Sequence, residues 1–149
     1  MNYSIIAATG NPGKLREIMR VLSSLDVSVS GLDRRQEIPP PEENGTTFAE
    51  NARTKALYYA RKTQELCLAD DSGLVVDAID GRPGVHSARF AADHCPPGAD
   101  RTVIDRANNE KLLTLLKTVP QKERAARFVC HLALADQAGI VLESHGTIE

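Results

Sequence analysis

A chain of 149 residues with 42% hydrophobic and 26% charged positions has the make-up of one ordinary globular domain, taken as 1–149. At that length about 70% of the unfolded surface is buried on folding, so a core forms without disulfide or metal staples. The net charge of −2 argues against a partner that is a nucleic-acid polymer, which calls for a basic excess. No apolar run reaches the roughly 18 residues of a membrane span, and the start, "MNYSIIAATG", has no basic region ahead of its apolar stretch as a secretory leader would. Cys67, Cys95 and Cys130 are odd in number, far apart and outside any C-x-x-C pair. They read as free thiols in a reducing cytoplasm.

Taken in chain order, "YSIIAA" is short, apolar and partly β-branched, and predicts a buried strand. "TGNPG" breaks it, and a helix from about Lys14 follows, with Leu15, Ile18, Met19 and Leu22 along one face. "LDVSVSGL" is a second short strand. The polar loop "DRRQEIPPPEENG" comes next, part of it held extended by Pro39, Pro40 and Pro41. Thr47 and Glu50 have capping-box spacing at the start of a second helix, whose buried stripe is Phe48, Ala52, Ala56, Tyr59 and Ala60. "LCLA" predicts a strand that ends at Asp70, and "LVVDAI" another. Asp100 to Thr118 predicts a helix with Val103, Ile104, Ala107, Leu112, Leu115 and Leu116 on its apolar face. Two closing strands flank Asp136 to Gly139, a hairpin in which Ala126, Phe128, Cys130, Leu132 and Leu134 share one face. Strands alternating with helices and a closing hairpin predict an α/β fold with a mixed sheet flanked by helices.

Three stretches carry chemistry. In "ATGNPGKLREI" a strand runs through a turn into a helix, where backbone N–H groups and Lys14 together suit an anion. Neither the Walker loop nor the dinucleotide fingerprint is present, and an ordinary strand-turn-helix connection fits the same residues. In "ADDSGLVVDAIDGRPGVHSARF", Asp70 and Asp71 stand at a strand's C-terminal end, where open α/β sheets bind ligands. Neighbours on a regular strand point to opposite faces, so the following Ser-Gly is expected to end the strand and re-aim them. Two close carboxylates repel, and a divalent cation with phosphate oxygens would relieve that. Solvated turn aspartates are the plainer alternative. In "PEENGTTFAENARTKA", Glu42 and Glu43 precede a helix whose exposed side carries Lys55; alone they read as surface charges. The four histidines have no metal-ligand spacing, and no Ser-His-Asp order is present.

Together, in this order and at these separations, the three stretches resemble the inosine/xanthosine triphosphate pyrophosphatase family, hydrolases of deaminated purine nucleotides. The likeness is dense from Ile5 to Phe90 and thinner through "NNEKLL" to "ARFVCHLAL". It implies Mg²⁺-dependent hydrolysis of ITP, dITP or XTP to the monophosphate and pyrophosphate by a cytoplasmic homodimer. It further implies a phosphate-binding loop over Thr9, Gly10, Asn11, Pro12, Gly13 and Lys14. The metal-binding glutamate falls on Glu42, with Glu43 as second choice, and the phosphate-contacting lysine on Lys55. The general base falls on Asp71, with Asp70 assisting at the metal and Ser72 contacting substrate.

Such proteins continue past the point matching "GIVLESHGTIE" with an aromatic, glycine-rich segment and a Ser-His-Arg motif that help read the base. Neither is in these 149 residues, and "ESHG" at Glu143 to Gly146 is not that motif. The expected fold is therefore this family's, without its usual C-terminal segment. Two other readings stand beside the enzyme: a shortened, catalytically impaired nucleotide- or metal-binding or dimerisation module, and a pyrophosphatase of the septum-inhibitor type acting on other nucleotides.

Overall fold

A computed structural model describes residues 3–32 and 37–149. Part of the predicted polar loop, residues 33–36, lies outside the described residues. Among the described residues, five strands and three α-helices carry the fold: β1 (Tyr3–Ala7), α1 (Pro12–Leu22), β2 (Val27–Ser30), α2 (Phe48–Thr63), β3 (Leu66–Val76), α3 (Arg101–Leu115), β4 (Ala126–Ala135) and β5 (Ile140–Ile148). The sheet order is β2-β1-β3-β4-β5. β1 pairs in parallel with both β2 and β3, with Ile5 opposite Val29 and Ala7 opposite Leu68. The β4–β5 hairpin makes the sheet mixed. Its turn is closed by Asp136, whose carboxylate accepts from the Ala138 and Gly139 N–H groups.

The chain groups into two compact units. The first is Met1–Asp71 with His131–His145. Its core is Ile6 and Ala8 of the first strand region, Cys67 and Ala69 of β3, Ala133 and Ala135 of β4, and the α2 stripe Ala52, Ala56, Tyr59 and Ala60. Small α2 residues let the helix lie close on the sheet. Phe48 of the expected stripe is only half-buried, and Asn51 is buried instead. The second unit is Ser72–Cys130 with Gly146–Glu149. Val76, Ile79 and Leu116 form its small core, with Leu74, Leu112, Val119 and Ala126 packed around them. Asn108 of α3 ties down the 3₁₀ turns after β3, accepting from the Ala91 N–H and donating to the Ser87 carbonyl.

The structure corrects four expectations. β3 does not end at Asp70 but runs unbroken to Val76, so "LCLA" and "LVVDAI" belong to one strand. α1 begins at Pro12, not near Lys14, because Pro at the first helical turn loses no hydrogen bond and Asn11 caps it. Its apolar face is shallow: Leu15, Ile18 and Leu22 are half-buried and Met19 is exposed. On α3, Val103 and Leu115 are exposed, while Leu112 packs and Leu116 just beyond the helix is buried. On β4 the fully buried side chains are Ala133 and Ala135, not the alternating set that includes Phe128, which is exposed. Alternation located two faces correctly, but α2 packs on the face with the small side chains.

Candidate active site

α1 links β1 outward to β2, and the chain then returns past β1 to lay β3 on its other side. The order of connection therefore reverses between β1 and β3. Right-handed crossovers put α1 on one face of these strands and α2 on the other. The crevice at the carboxyl ends of the two strands flanking such a reversal is the usual ligand site of an open α/β sheet. Thr9 to Lys14 follow β1 directly there, and Asp70 and Asp71 extend β3 beyond the Ala7–Leu68 pair.

The turn after β1 is self-supporting. Thr9 Oγ1 accepts from the Asn11 N–H at 3.1 Å. Asn11 Oδ1 accepts from the Gly13 N–H at 2.8 Å and the Lys14 N–H at 3.4 Å, as an N-cap does. A cavity of about 490 Å³ opens beside it, lined by Asn11, Gly13, Lys14, Arg16, Glu17 and Arg20. Three cations in its wall favour an anion.

Because β3 stays regular, its side chains alternate, and the two aspartates part. Asp70 turns to the α1 side, where Lys14 Nζ donates to its Oδ2 at 2.5 Å. Asp71 turns to the α2 side, as Cys67 and Ala69 do, and its Oδ2 accepts from Asn51 Nδ2 at 2.9 Å. Both are buried. The expectation that Ser-Gly ends the strand and re-aims both carboxylates is overturned. Opposite faces already separate the charges, and each has a donor of its own. Ser72, half-buried, is the next residue of β3 and the first of the second unit.

Lys55 is not on the exposed side of α2. It is half-buried, its Nζ donates to the Asp70 carbonyl at 3.1 Å, and it forms an ion pair with Glu43. The structure thus brings Glu43, the second choice, to Lys55. Glu42 is exposed and accepts from Asn44 Nδ2 at 2.9 Å. Three residues of the loop and helix start shape the turn beside it. Thr47 Oγ1 accepts from the Glu50 N–H, while the Glu50 carboxylate accepts from the Thr46 and Thr47 N–H groups and the Thr46 hydroxyl. Those donors, the Thr46 backbone N–H foremost, hold the Glu50 carboxyl below its ordinary pKa. Sequence reasoning missed Asn51. The signal was available: an amide in the buried stripe of a helix otherwise filled there by three alanines and Tyr59.

Mg²⁺ takes hard oxygen donors, commonly one or two carboxylates with the remainder from phosphate and water. Glu43 and Asp71, both associated with α2, are donors of that kind and fit it. Among the described residues no three His, Cys, Asp or Glu side chains stand together as a metal cage, and a site of one or two carboxylates needs none. Asp70 instead accepts from Lys14 Nζ.

Fold and site together define an α/β protein that carries paired lysines and carboxylates at and beside the ends of β1 and β3, residue types that suit an anionic ligand. The model of the Ham1 family matches residues 5–149, and the chain belongs to that family. It is 46% identical over 135 residues to a dITP/XTP pyrophosphatase of Geobacter sulfurreducens, covering 91% of this chain and 64% of that protein. It is 45% identical over 145 residues to the dITP/XTP pyrophosphatase of Desulforamulus reducens, covering 97% and 68%. Among solved structures, a HAM1 protein from Coxiella burnetii superposes with a TM-score of 0.81 at 33% identity, covering 97% of this chain and 70% of that one. The chain spans 64% of the length of the Geobacter relative, just under two thirds. Among the described residues no helix is long and apolar enough to cross a membrane.

Proposed function

We propose that this protein hydrolyses deaminated purine nucleoside triphosphates, ITP, dITP and XTP, to the monophosphate and pyrophosphate with Mg²⁺, as a cytoplasmic homodimer. The observation that carries the reading is the placement of Asp71. It is a buried carboxylate, oriented by an amide, on the strand whose preceding residue is contacted by both Lys14 and Lys55. Ham1 membership supports the substrate class, as do the names of the relatives given above.

The chemistry follows from the residues. Asp71 accepts a proton from water as the water oxygen bonds to the α-phosphorus. The bond from that phosphorus to the bridging oxygen of the β-phosphate breaks, and the electron pair leaves with pyrophosphate. Lys55 and Lys14 offset the phosphates' negative charge as it grows on the leaving group. Thr9 to Gly13 approach the phosphates with their backbone, and Ser72 contacts substrate. Mg²⁺, held by Glu43 and Asp71, would supply Lewis-acid stabilisation of phosphoryl oxygens.

The test is pyrophosphate release from ITP, XTP, dITP and ATP with Mg²⁺, beside Asp71→Asn. Release from the deaminated purines that Asp71→Asn loses is the expected result. A folded protein that releases none, or that prefers ATP, overturns the proposal. Sedimentation velocity reads the dimer, and a single monomeric species overturns that part alone.

A further inference from the structure

We infer that Asn51 is a positioning residue that holds the Asp71 carboxylate in its working orientation; this rests on the hydrolytic reading above. The Asn51 side chain is 1% exposed. Its Nδ2 donates to Asp71 Oδ2 at 2.9 Å, and its Oδ1 accepts from the Gly45 N–H at 2.8 Å. The two partners fix which way the amide faces. A backbone N–H is met only by the amide oxygen, and an ionised carboxylate only by the NH₂ group. The amide therefore spans from the loop before α2 to β3, with no freedom to flip.

Two facts set it apart from ordinary packing. Asparagine is a poorer helix former than alanine, and the rest of the same stripe of α2 is apolar: Ala52, Ala56, Tyr59 and Ala60. Packing alone would have been met by another small apolar side chain. The loop is also shaped around the amide. A Cβ on Gly45 would lie 2.6 Å from Asn51 Oδ1 and 2.8 Å from Glu50 Cβ, closer than such atoms approach. Only glycine lets the backbone come near enough to donate.

The consequence for Asp71 is orientational. The terminal torsion of an aspartate is broad and nearly two-fold, so a carboxylate without a directional donor samples a wide range of planes. A general base must meet its water within hydrogen-bond reach, and small misplacements are costly in rate. One amide donor at Oδ2 narrows that range. It acts on turnover rather than on capture of the nucleotide, because Asn51 itself is too buried to touch a phosphate.

Asn51→Asp is the discriminating substitution. It keeps the size of the side chain and the acceptor for Gly45, and replaces the donor to Asp71 by a carboxylate oxygen that repels it, so the uncharged Gly45→Ala is the control for the added charge. The expected result is a kcat for ITP about 10- to 100-fold lower with KM within about two-fold of the unaltered protein. Gly45→Ala, which displaces the amide from the other end, is expected to shift kcat in the same direction. A purely structural role would lower stability and raise KM with kcat per folded molecule unchanged, and that outcome overturns the inference. A second readout needs neither turnover nor a variant that folds. In ¹⁵N-labelled unaltered protein the Asn51 side-chain NH₂ protons should exchange slowly with solvent, and exchange at surface rates overturns the inference. The two proposals fail separately. Unaltered protein without release of pyrophosphate sinks the reaction, whereas release with an unchanged kcat in Asn51→Asp sinks only this role.

Discussion

Lys14 Nζ lies 2.5 Å from Asp70 Oδ2 across 56 residues of sequence. The bond ties the first turn of α1 to a strand added only after α2 has crossed back. The Asp70 side chain is 8% exposed and that of Lys14 37%, so the carboxylate carries most of the desolvation and the ammonium stays partly wet. Lys14→Met takes the ammonium from a buried carboxylate and is expected to destabilise the protein by about 1–3 kcal/mol, as loss of a charged hydrogen-bond partner does. Adding Asp70→Asn should return part of that, because the cost is largely that of the buried charge left behind. A double-mutant cycle by urea unfolding measures the coupling. Strict additivity would mean that the pair contributes nothing to stability.

The choice between the two glutamates before α2 is now a matter of place. Glu43 is half-buried against Lys55, and Glu42 is exposed beside Asn44. On the reading proposed above, Mg²⁺ would be held by Glu43, the carboxylate paired with Lys55. Glu43→Gln should raise the Mg²⁺ concentration for half-maximal pyrophosphate release by about tenfold or more, and Glu42→Gln by less than about twofold. The reverse ranking would return the metal to Glu42.

Local sequence rules located most of this site, and their failures share one cause. The capping box at Thr47 and Glu50 was legible because its chemistry lies within four residues. The strand-turn-helix at Thr9 to Lys14 was legible for the same reason, apart from a start two residues early at Pro12. The aspartate pair was found but misdescribed. Its Ser-Gly was taken for a strand end, whereas long-range pairing carries β3 through it. The partners of Asn51 and the burial of Lys55 were not legible. Both follow from which elements α2 meets, and no window of sequence contains that. The β4 face failed likewise: periodicity identifies two faces, but only the packed sheet shows that α2 lies over Ala133 and Ala135.

The α2 start gives a prediction that does not depend on turnover. Thr47 caps the Glu50 N–H, and the Glu50 carboxylate returns to the Thr46 and Thr47 N–H groups. Thr47→Ala should cost about 1 kcal/mol of unfolding free energy, the usual worth of an N-cap hydroxyl. Since the same turn leads into Asn51 and Lys55, the variant should also lower kcat modestly. Unfolding midpoints at fixed m-value check the first point, and an unchanged midpoint would mean that the turn holds without its hydroxyl.

Glu143 of β5 predicts how stability depends on pH. Its carboxylate accepts from Arg53 Nε of α2 at 2.7 Å and lies 3.0 Å from His131 Nε2 of β4. The Arg53 hydrogen bond first, then that of His131, holds the Glu143 carboxyl below its ordinary value of 4.5. In the unfolded chain that value is restored, so between the two the unfolded state binds the extra proton. The contribution of Glu143 is then complete above the ordinary value and is lost as pH falls through the lowered one. Glu143→Gln should be less stable than the unaltered protein at neutral pH, with the gap steady down to about pH 5 and closing as pH falls through and below the ordinary value of 4.5. Glu50, also held below its ordinary value, keeps some acid slope in the variant, and adding Glu50→Gln should flatten the profile further. Urea unfolding across that range reads the gap directly. A gap that stays constant with pH would mean that the substitution removes packing at the sheet edge, and that the ion pair with Arg53 does not set the acid limb.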